Sequence, residues 1–428
     1  MSMEFAISTT LKRYNNHSLS MREHLNIALV CLFSLFAISG FGRTTNILAV
    51  IFMLVYLVLN FKKRFYGDGG KSIVCFIIFF AYKLIVGFIN MQSEYYYLGT
   101  TVLWTLVEFF PIIIAFDFLD SSNPKYRRRL LFWLSILFFG ITLYSVFIFF
   151  GETIGGRAFV TSSRGQWIGG GYPIAYSCAL LASVLLFCLK GKQRGIISFI
   201  LLLLGIVFCF LHLFYTQSVI TLVASVVGVL LVLLFVSRKN NTLSSLRIIL
   251  STTFLVYSML MFFINRQEIG NWLINYGTTV KNQVFSQRIQ EIGLFFTNSF
   301  TTNHMGVRSL TLTRSFETFL KNPLFGSSYL VGDTFELFET IGIFNHSEIL
   351  DSLAKYGVVG FAPLFLVFFY QFKIIIKQSG LSFAIPLLGC FLILTFFNPF
   401  ISAQTCFMLF LYIPLLLKVR TETKNELH

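Results

Sequence analysis

The chain has 428 residues, of which 56% are hydrophobic, 53 are phenylalanine and only 12% are charged. That is too little polar surface to cover a soluble globule, so the composition points to a bilayer. The net charge of +15 would suit nucleic acid, but the basic residues are spread through short connections between apolar runs, which argues against a nucleic-acid surface.

Crossing a hydrocarbon core of about 30 Å takes roughly 20 residues, and twelve apolar runs of about that kind recur along the chain. Their approximate cores are Leu25 to Phe41, Asn46 to Asn60, Ser72 to Asn90, Leu98 to Phe118, Leu130 to Phe150 and Tyr172 to Leu189. Then come Gly195 to Tyr215, Ser218 to Val236, Ile248 to Ile264, Val358 to Ile376, Phe383 to Phe397 and Phe400 to Leu417. Ala37-Ile38-Ser39 resembles a signal-peptide cleavage site, but the tail of over twenty residues ahead of the first run argues for a retained span. The expected fold is an all-α polytopic membrane protein of about twelve transmembrane helices, residues 1–428 forming one integral membrane domain.

With the N-terminus inside, every second connection is basic. The clusters are Lys62, Lys63, Arg64 and Lys71; Lys125, Arg127, Arg128 and Arg129; Lys190, Lys192 and Arg194; Arg238, Lys239 and Arg247; Lys373 and Lys377; and Lys418, Arg420 and Lys424. This is the positive-inside distribution, and it implies cytoplasmic termini and an even number of spans. Three outer connections remain: Met91 to Tyr97, Gly151 to Gly171, and a long loop over residues 265–345 between the ninth and tenth helices. The long loop carries both signs of charge in near balance, so its arginines need another explanation.

All seven cysteines fall within expected spans, and none has metal-ligand spacing with a histidine. Without HExxH, a Gly-rich phosphate loop or a paired Asp-x-Asp, no metal and no cofactor are expected. Lys83 in the third span and Glu108 in the fourth can lie at similar depth, as an ion pair joining two helices or as a substrate contact. His212, near Tyr215, Thr216 and Gln217 at the outer end of the seventh span, reads as cavity lining.

Within the long loop, Leu312, Phe316, Phe319 and Leu320 have the spacing of one apolar helix face, stopped at Asn322-Pro323. Arg308 lies one turn before Leu312 on the face expected to be buried, while Arg314, Thr318 and Lys321 share a solvent-facing stripe. Further on, Asn345 reads as an N-cap with Glu348 three residues later, starting a helix at His346. On that helix His346, Leu350, Leu353, Gly357 and Gly360 share a face, whose glycines let a neighbouring helix approach. A helix N-terminus disfavours imidazolium, which keeps His346 able to accept a proton, and its amides favour a nearby phosphate. Against these readings stand an ordinary loop histidine, and a salt bridge from Arg308 to Glu317 or Asp333.

His346-Ser347, nine residues, then Gly357-Val358-Val359-Gly360 resembles the histidine motif of the bacterial O-antigen ligase and O-antigen polymerase (Wzy-like) superfamily. Arg308 followed by Lys321-Asn322-Pro323-Leu324-Phe325-Gly326 is similar to that superfamily's arginine and Pro-x-x-Gly segment. Gly156-Arg157-Ala158, ahead of Tyr172-Pro173 opening the sixth span, resembles the polymerase pattern of an outer-loop arginine before a helix start, with Arg164 as a second cation. One position departs from the pattern: where members often carry Ser-Arg at the start of the eighth span, this chain has Ser218-Val219, so Arg157 or Arg164 would have to substitute.

The resemblance implies metal-independent glycosyl transfer from a polysaccharide on undecaprenyl diphosphate to another lipid-linked repeat unit, with inversion, for O-antigen or capsule. Arg308 and Arg157, with Arg164 and Arg314, would bind the departing diphosphate, because a guanidinium stays charged and binds phosphate oxygens bidentately. His346 would deprotonate or orient the acceptor hydroxyl; Asp351 and Glu348 are rival bases that lie away from the glycine face. Implied partners are the lipid-linked repeat units, membrane lipids, a chain-length regulator and a flippase, and the implied location is the bacterial inner membrane. The alternatives are a ligase passing the polymer to lipid A core and, in a different class, a polysaccharide flippase or transporter.

Overall fold

The computed structural model describes residues 19–39, 43–60, 67–89, 98–149, 171–190, 196–216, 218–236, 264–280, 304–327 and 346–426, with a few isolated positions between 261 and 297. These residues are almost entirely helical, with no strand among them. The helices are Met21–Ser39 (α1), Arg43–Asn60 (α2), Gly67–Ile89 (α3), Leu98–Asp120 (α4), Pro124–Phe149 (α5), Tyr172–Leu189 (α6), Ile196–Thr216 (α7) and Val219–Phe235 (α8). Then follow Arg266–Thr279 (α9), His304–Lys321 (α10), Glu348–Ser379 (α11), Leu381–Phe397 (α12), Ala403–Cys406 (α13), the π-helical Phe407–Tyr412, and Ile413–Glu426 (α14).

Six stretches are long and apolar enough to cross a membrane: Met21–Ser39, Gly67–Val86, Tyr172–Leu189, Ile196–Phe214, Glu348–Ser379 and Ala403–Thr423. Ile47–Asn60, Ile220–Phe235 and Leu381–Phe397 are shorter apolar helices beside them. This is the architecture of an all-α membrane protein. Helices occupy the expected runs apart from the ninth, residues 248–264, which lies almost wholly outside the described residues. The long connection of residues 265–345 contributes α9 and α10.

The packing is inside-out relative to a soluble bundle. On α7, Ile197, Leu201, Leu204 and Leu211 point outward and are exposed, although no polar face compensates them; such a surface is stable only against hydrocarbon. The centre is formed by α6, packed against α7, α8 and α12, and by the fully buried π-helical segment, which packs on α4. Aromatic rings fill that centre: Phe109 lies 5.1 Å from Phe76 and 5.8 Å from Phe410.

The π-helical turn has a local cause. Ile413 donates its amide to Met408, five residues back, which leaves the Leu409 carbonyl needing the amide of residue 414. That residue is proline and has none. Gln371 of α11, itself buried, donates Nε2 to Leu409 at 2.8 Å, so the carbonyl is satisfied inside the core.

Polar contacts between helices gather at two ends. At one, Asp68 pairs with Lys373 at 3.1 Å and with Lys377, Arg127 pairs with Glu422, and Arg129 meets His24. The basic connections of the sequence thus meet one another's acidic neighbours. At the other end Gln404 donates to the Ile38 carbonyl, Tyr176 stacks on Phe400, and the start of α11 is anchored.

Candidate functional site

The start of α11 differs from the sequence reading by two residues. Ser347 is the N-cap, its side chain accepting from Leu350 N, and the helix begins at Glu348 rather than at His346; Asn345 lies outside the described residues. The reason is Asp351. Its carboxylate accepts the amides of His346 at 2.8 Å and Ser347 at 3.1 Å, holding the histidine backbone just outside the helix. Glu348 accepts the amides of Phe400 at 2.9 Å and Ile401 at 2.8 Å, and its own amide donates to Asn398. Asp351 and Glu348 are therefore structural acceptors at this end. Of the amides expected to attract a phosphate, those of His346, Ser347, Glu348 and Leu350 are already taken by the chain's own groups.

The face of α10 turned inward is polar, contrary to the sequence reading. Thr311 and Ser315 are 3% and 1% exposed, whereas Phe316 and Leu320 are 47% and 58% exposed. The partner of α10 is the polar start of α11: Ser315 Oγ donates to Asp351 at 2.6 Å. A buried hydroxyl opposite a buried carboxylate outweighs the apolar stripe, because each would otherwise be left unsatisfied. Arg314 and Thr318, expected on an open stripe, are half-buried, and only Lys321 of that set is exposed.

Arg308 stands three residues before Thr311 and seven before Ser315, which puts its position on the face packed on α11; its side chain lies outside the described residues. α10 and α11 run parallel here, because Ser315 meets Asp351 and the turn after α10 meets Val358 and Val359. Position 308 is thus about 10 Å beyond Ser315, and Ser347 about 6 Å beyond Asp351, both toward the same end of the bundle. The backbone brings the expected arginine and histidine positions to one end of the same pair of helices.

Pro323 to Gly326 forms the expected turn, and it docks into a break in α11. Gly357 has φ of 60° and ψ of −171°, so α11 is two helices joined at a kink. The amides freed by the kink are donated across: Val358 N to Pro323 O at 2.8 Å and Val359 N to Leu324 O at 3.0 Å. In return Ser327 N donates to Ala354 O at 2.8 Å. A Cβ at Gly357 would lie 2.3 Å from Leu324 O, and one at Gly326, also at positive φ, 2.4 Å from the Lys355 backbone. Glycine is needed at both positions for conformation and for space. The sequence reading had a neighbouring helix approach both glycines. Instead the turn occupies Gly357, and only Gly360 faces a helix, against the Tyr82 ring of α3.

Tyr82 locks this junction from below, its hydroxyl shared between the Phe325 carbonyl at 2.7 Å and the Tyr356 carbonyl at 2.9 Å. The next residue of α3, Lys83, donates Nζ to Thr105 of α4 at 2.6 Å and lies 5.8 Å from the Tyr356 ring. The hydrogen bond joining α3 to α4 thus runs to Thr105 and not to the expected partner Glu108, which stands one turn further along α4 and acts on Lys83 through its charge. His212, expected to line a cavity, is 1% exposed within α7.

Arg157 and Arg164 lie outside the described residues. The chain re-enters at Gly171, and α6 begins with Pro173 in its first turn. Tyr176, one turn in, stacks on Phe400 at 6.5 Å, next to the amide that Glu348 holds. Residue 171 therefore emerges at the same end as His346. Among the described residues no group of three His, Cys, Asp or Glu side chains is placed to hold a metal.

The sequence reading missed the Ser315–Asp351 bond and Tyr82. A signal for the first was present: Arg308, Thr311 and Ser315 form a polar stripe at helical spacing beside the apolar one. For Tyr82, which reaches the loop from 243 residues away, there was none. No protein-family model matches this chain, and no curated protein matches it.

Proposed function

We propose that the chain is a membrane glycosyltransferase, a polymerase that transfers a glycan from undecaprenyl diphosphate to another lipid-linked repeat unit of O-antigen or capsule. In this reading it crosses the bacterial inner membrane about twelve times with both termini cytoplasmic, and the long connection faces outward. The observation that carries the reading is the seating of the Pro323–Gly326 turn in the Gly357 kink. The two segments that resemble the superfamily's motifs are bonded backbone to backbone, directly below the helix start that carries His346.

The acceptor hydroxyl attacks the anomeric carbon and the bond to the diphosphate oxygen breaks. The hydroxyl proton passes to His346 and the negative charge leaves on the diphosphate. Arg308 and Arg157, with Arg164 and Arg314, stabilise that charge. Arginine chemistry suits the site, since the amides of His346, Ser347, Glu348 and Leu350 are engaged by Asp351, Asn398 and Ser347. The same engagement favours His346 as base over Asp351 and Glu348. Capsule and O-antigen repeat units, a chain-length regulator and a flippase are the partners this activity calls for.

The test is a surface-polysaccharide gel from cells lacking the gene, complemented with wild type, His346→Ala or Arg308→Ala. A polymerase leaves core carrying one repeat unit on deletion, and neither variant restores the ladder. Bare core with long polymer accumulating on the lipid carrier would identify a ligase. A full ladder with both variants would remove the site assignment and favour a transporter.

A further inference from the structure

At the end of the bundle opposite His346, a groove of about 450 Å³ opens between α1 and α5. Its α1 wall is one stripe, His24, Ile27, Ala28, Cys31 and Leu35, and Trp133 and Ile136 stand opposite. Everything along it is apolar except the mouth, where Arg129 and His24 meet at 3.2 Å.

We infer that this groove binds one anionic phospholipid, with an acyl chain along the stripe and the headgroup phosphate on Arg129. The histidine is the orienting group. Its Nδ1 lies 3.0 Å from the Ser20 carbonyl and its Nε2 faces the Arg129 guanidinium, so one ring nitrogen donates and the other accepts. That bond takes one of the five guanidinium donors, and Arg129 is exposed. Two cations close in sequence are committed elsewhere: Arg22 to Leu59 and Asn60, Arg127 to Ser121 and Glu422. Among the acidic residues at this end, Glu23 is bonded to Ser20 and Asn123, and Glu422 to Arg127.

Length and charge select the occupant. From His24 to Leu35 is about 16 Å along the helix, close to half of a hydrocarbon core of about 30 Å, which is the reach of a chain from one leaflet. An anionic headgroup also gains from Lys125 and Arg128 nearby, where the ammonium of a zwitterionic lipid would be repelled.

The experiment is native mass spectrometry of the full-length chain, purified in mild detergent and offered equal phosphatidylglycerol and phosphatidylethanolamine. Wild type is expected to retain one phosphatidylglycerol in preference. Arg129→Ala should weaken that retention about tenfold, the effect of losing a charge-assisted hydrogen bond, and leave phosphatidylethanolamine unchanged. Arg129→Lys should recover part of the preference. Ala28→Trp, a bulky side chain at an exposed groove position with both cations intact, should remove retention of the bound lipid. Equal retention of the two lipids by wild type, or no change in Arg129→Ala, overturns the inference. So does a gain in lipid retention when residues 1–18 are deleted, or in a dilution series that separates dimers, since the groove would then belong to the tail or to a second copy.

Discussion

The two ends of the bundle hold their helices together by different means. Where the basic connections gather, side-chain charges join the elements: Asp68 reaches Lys373 and Lys377 of α11, and Arg127 reaches Glu422 of α14. Around Gly357 the joins are backbone amides and carbonyls exchanged between the Pro323–Gly326 turn and α11, with Ser315 and Asp351 holding the helices above. A charge pair at a partly exposed end tolerates replacement, because water and other cations can substitute. A backbone exchange through two glycines does not, because any side chain occupies the space of the partner's carbonyl. The second arrangement suits the proposed site, in which Arg308 and His346 would have to keep a fixed separation.

Four substitutions would break or sharpen this contrast. The largest effect is expected for Gly357→Ala, which combines positive φ with a Cβ inside the Leu324 carbonyl. It should cost about 3 kcal/mol or more, read as unfolding at lower SDS fraction in mixed micelles; stability within error of wild type would mean the turn does not dock as described. Next is Asp351→Asn, whose amide oxygen can keep the two backbone amides while its NH2 donates to the Ser315 hydroxyl, so that what is lost is the acceptor's charge in three hydrogen bonds; it should cost about 1 kcal/mol. Because Asp351 acts here as a positioning group, Ser315→Ala should lower activity in the same direction with a smaller loss; wild-type stability with abolished activity in Asp351→Asn would instead make it the base. The smallest is Lys373→Gln. Its side chain is 44% exposed and Lys377 also serves Asp68, so the change should stay within about 0.5 kcal/mol, and a loss comparable to that of Gly357→Ala would erase the distinction between the ends.

The turn at Pro323–Gly326 and the helix before it were legible because proline acts on its own backbone; the break at Gly357 was not, since the sequence reads as one continuous helix with its glycines on a packing face. Burial on α10 was not legible. The apolar stripe of Phe316 and Leu320 reads as the inner face only if the partner is apolar, and the partner turned out to be the capped start of α11. The helix start was misread by two residues for a related reason: Asn345 and Ser347 are both good caps, and Asp351 selects the second by bonding the amides of His346 and Ser347.

Composition and hydropathy by themselves determined that this is a helical membrane chain, since apolar length and the shortage of charge are properties of the sequence alone. They also determined where the basic residues collect, because that pattern is local to each connection. Only the tertiary structure decided that the turn and the kink are one junction, that Tyr82 closes it, and that Asp351 and Glu348 are structural acceptors. Each of those depends on which unsatisfied backbone group meets which distant partner, and a carbonyl left free by Gly357 or Pro414 carries no mark in the sequence of the side chain or turn that will satisfy it.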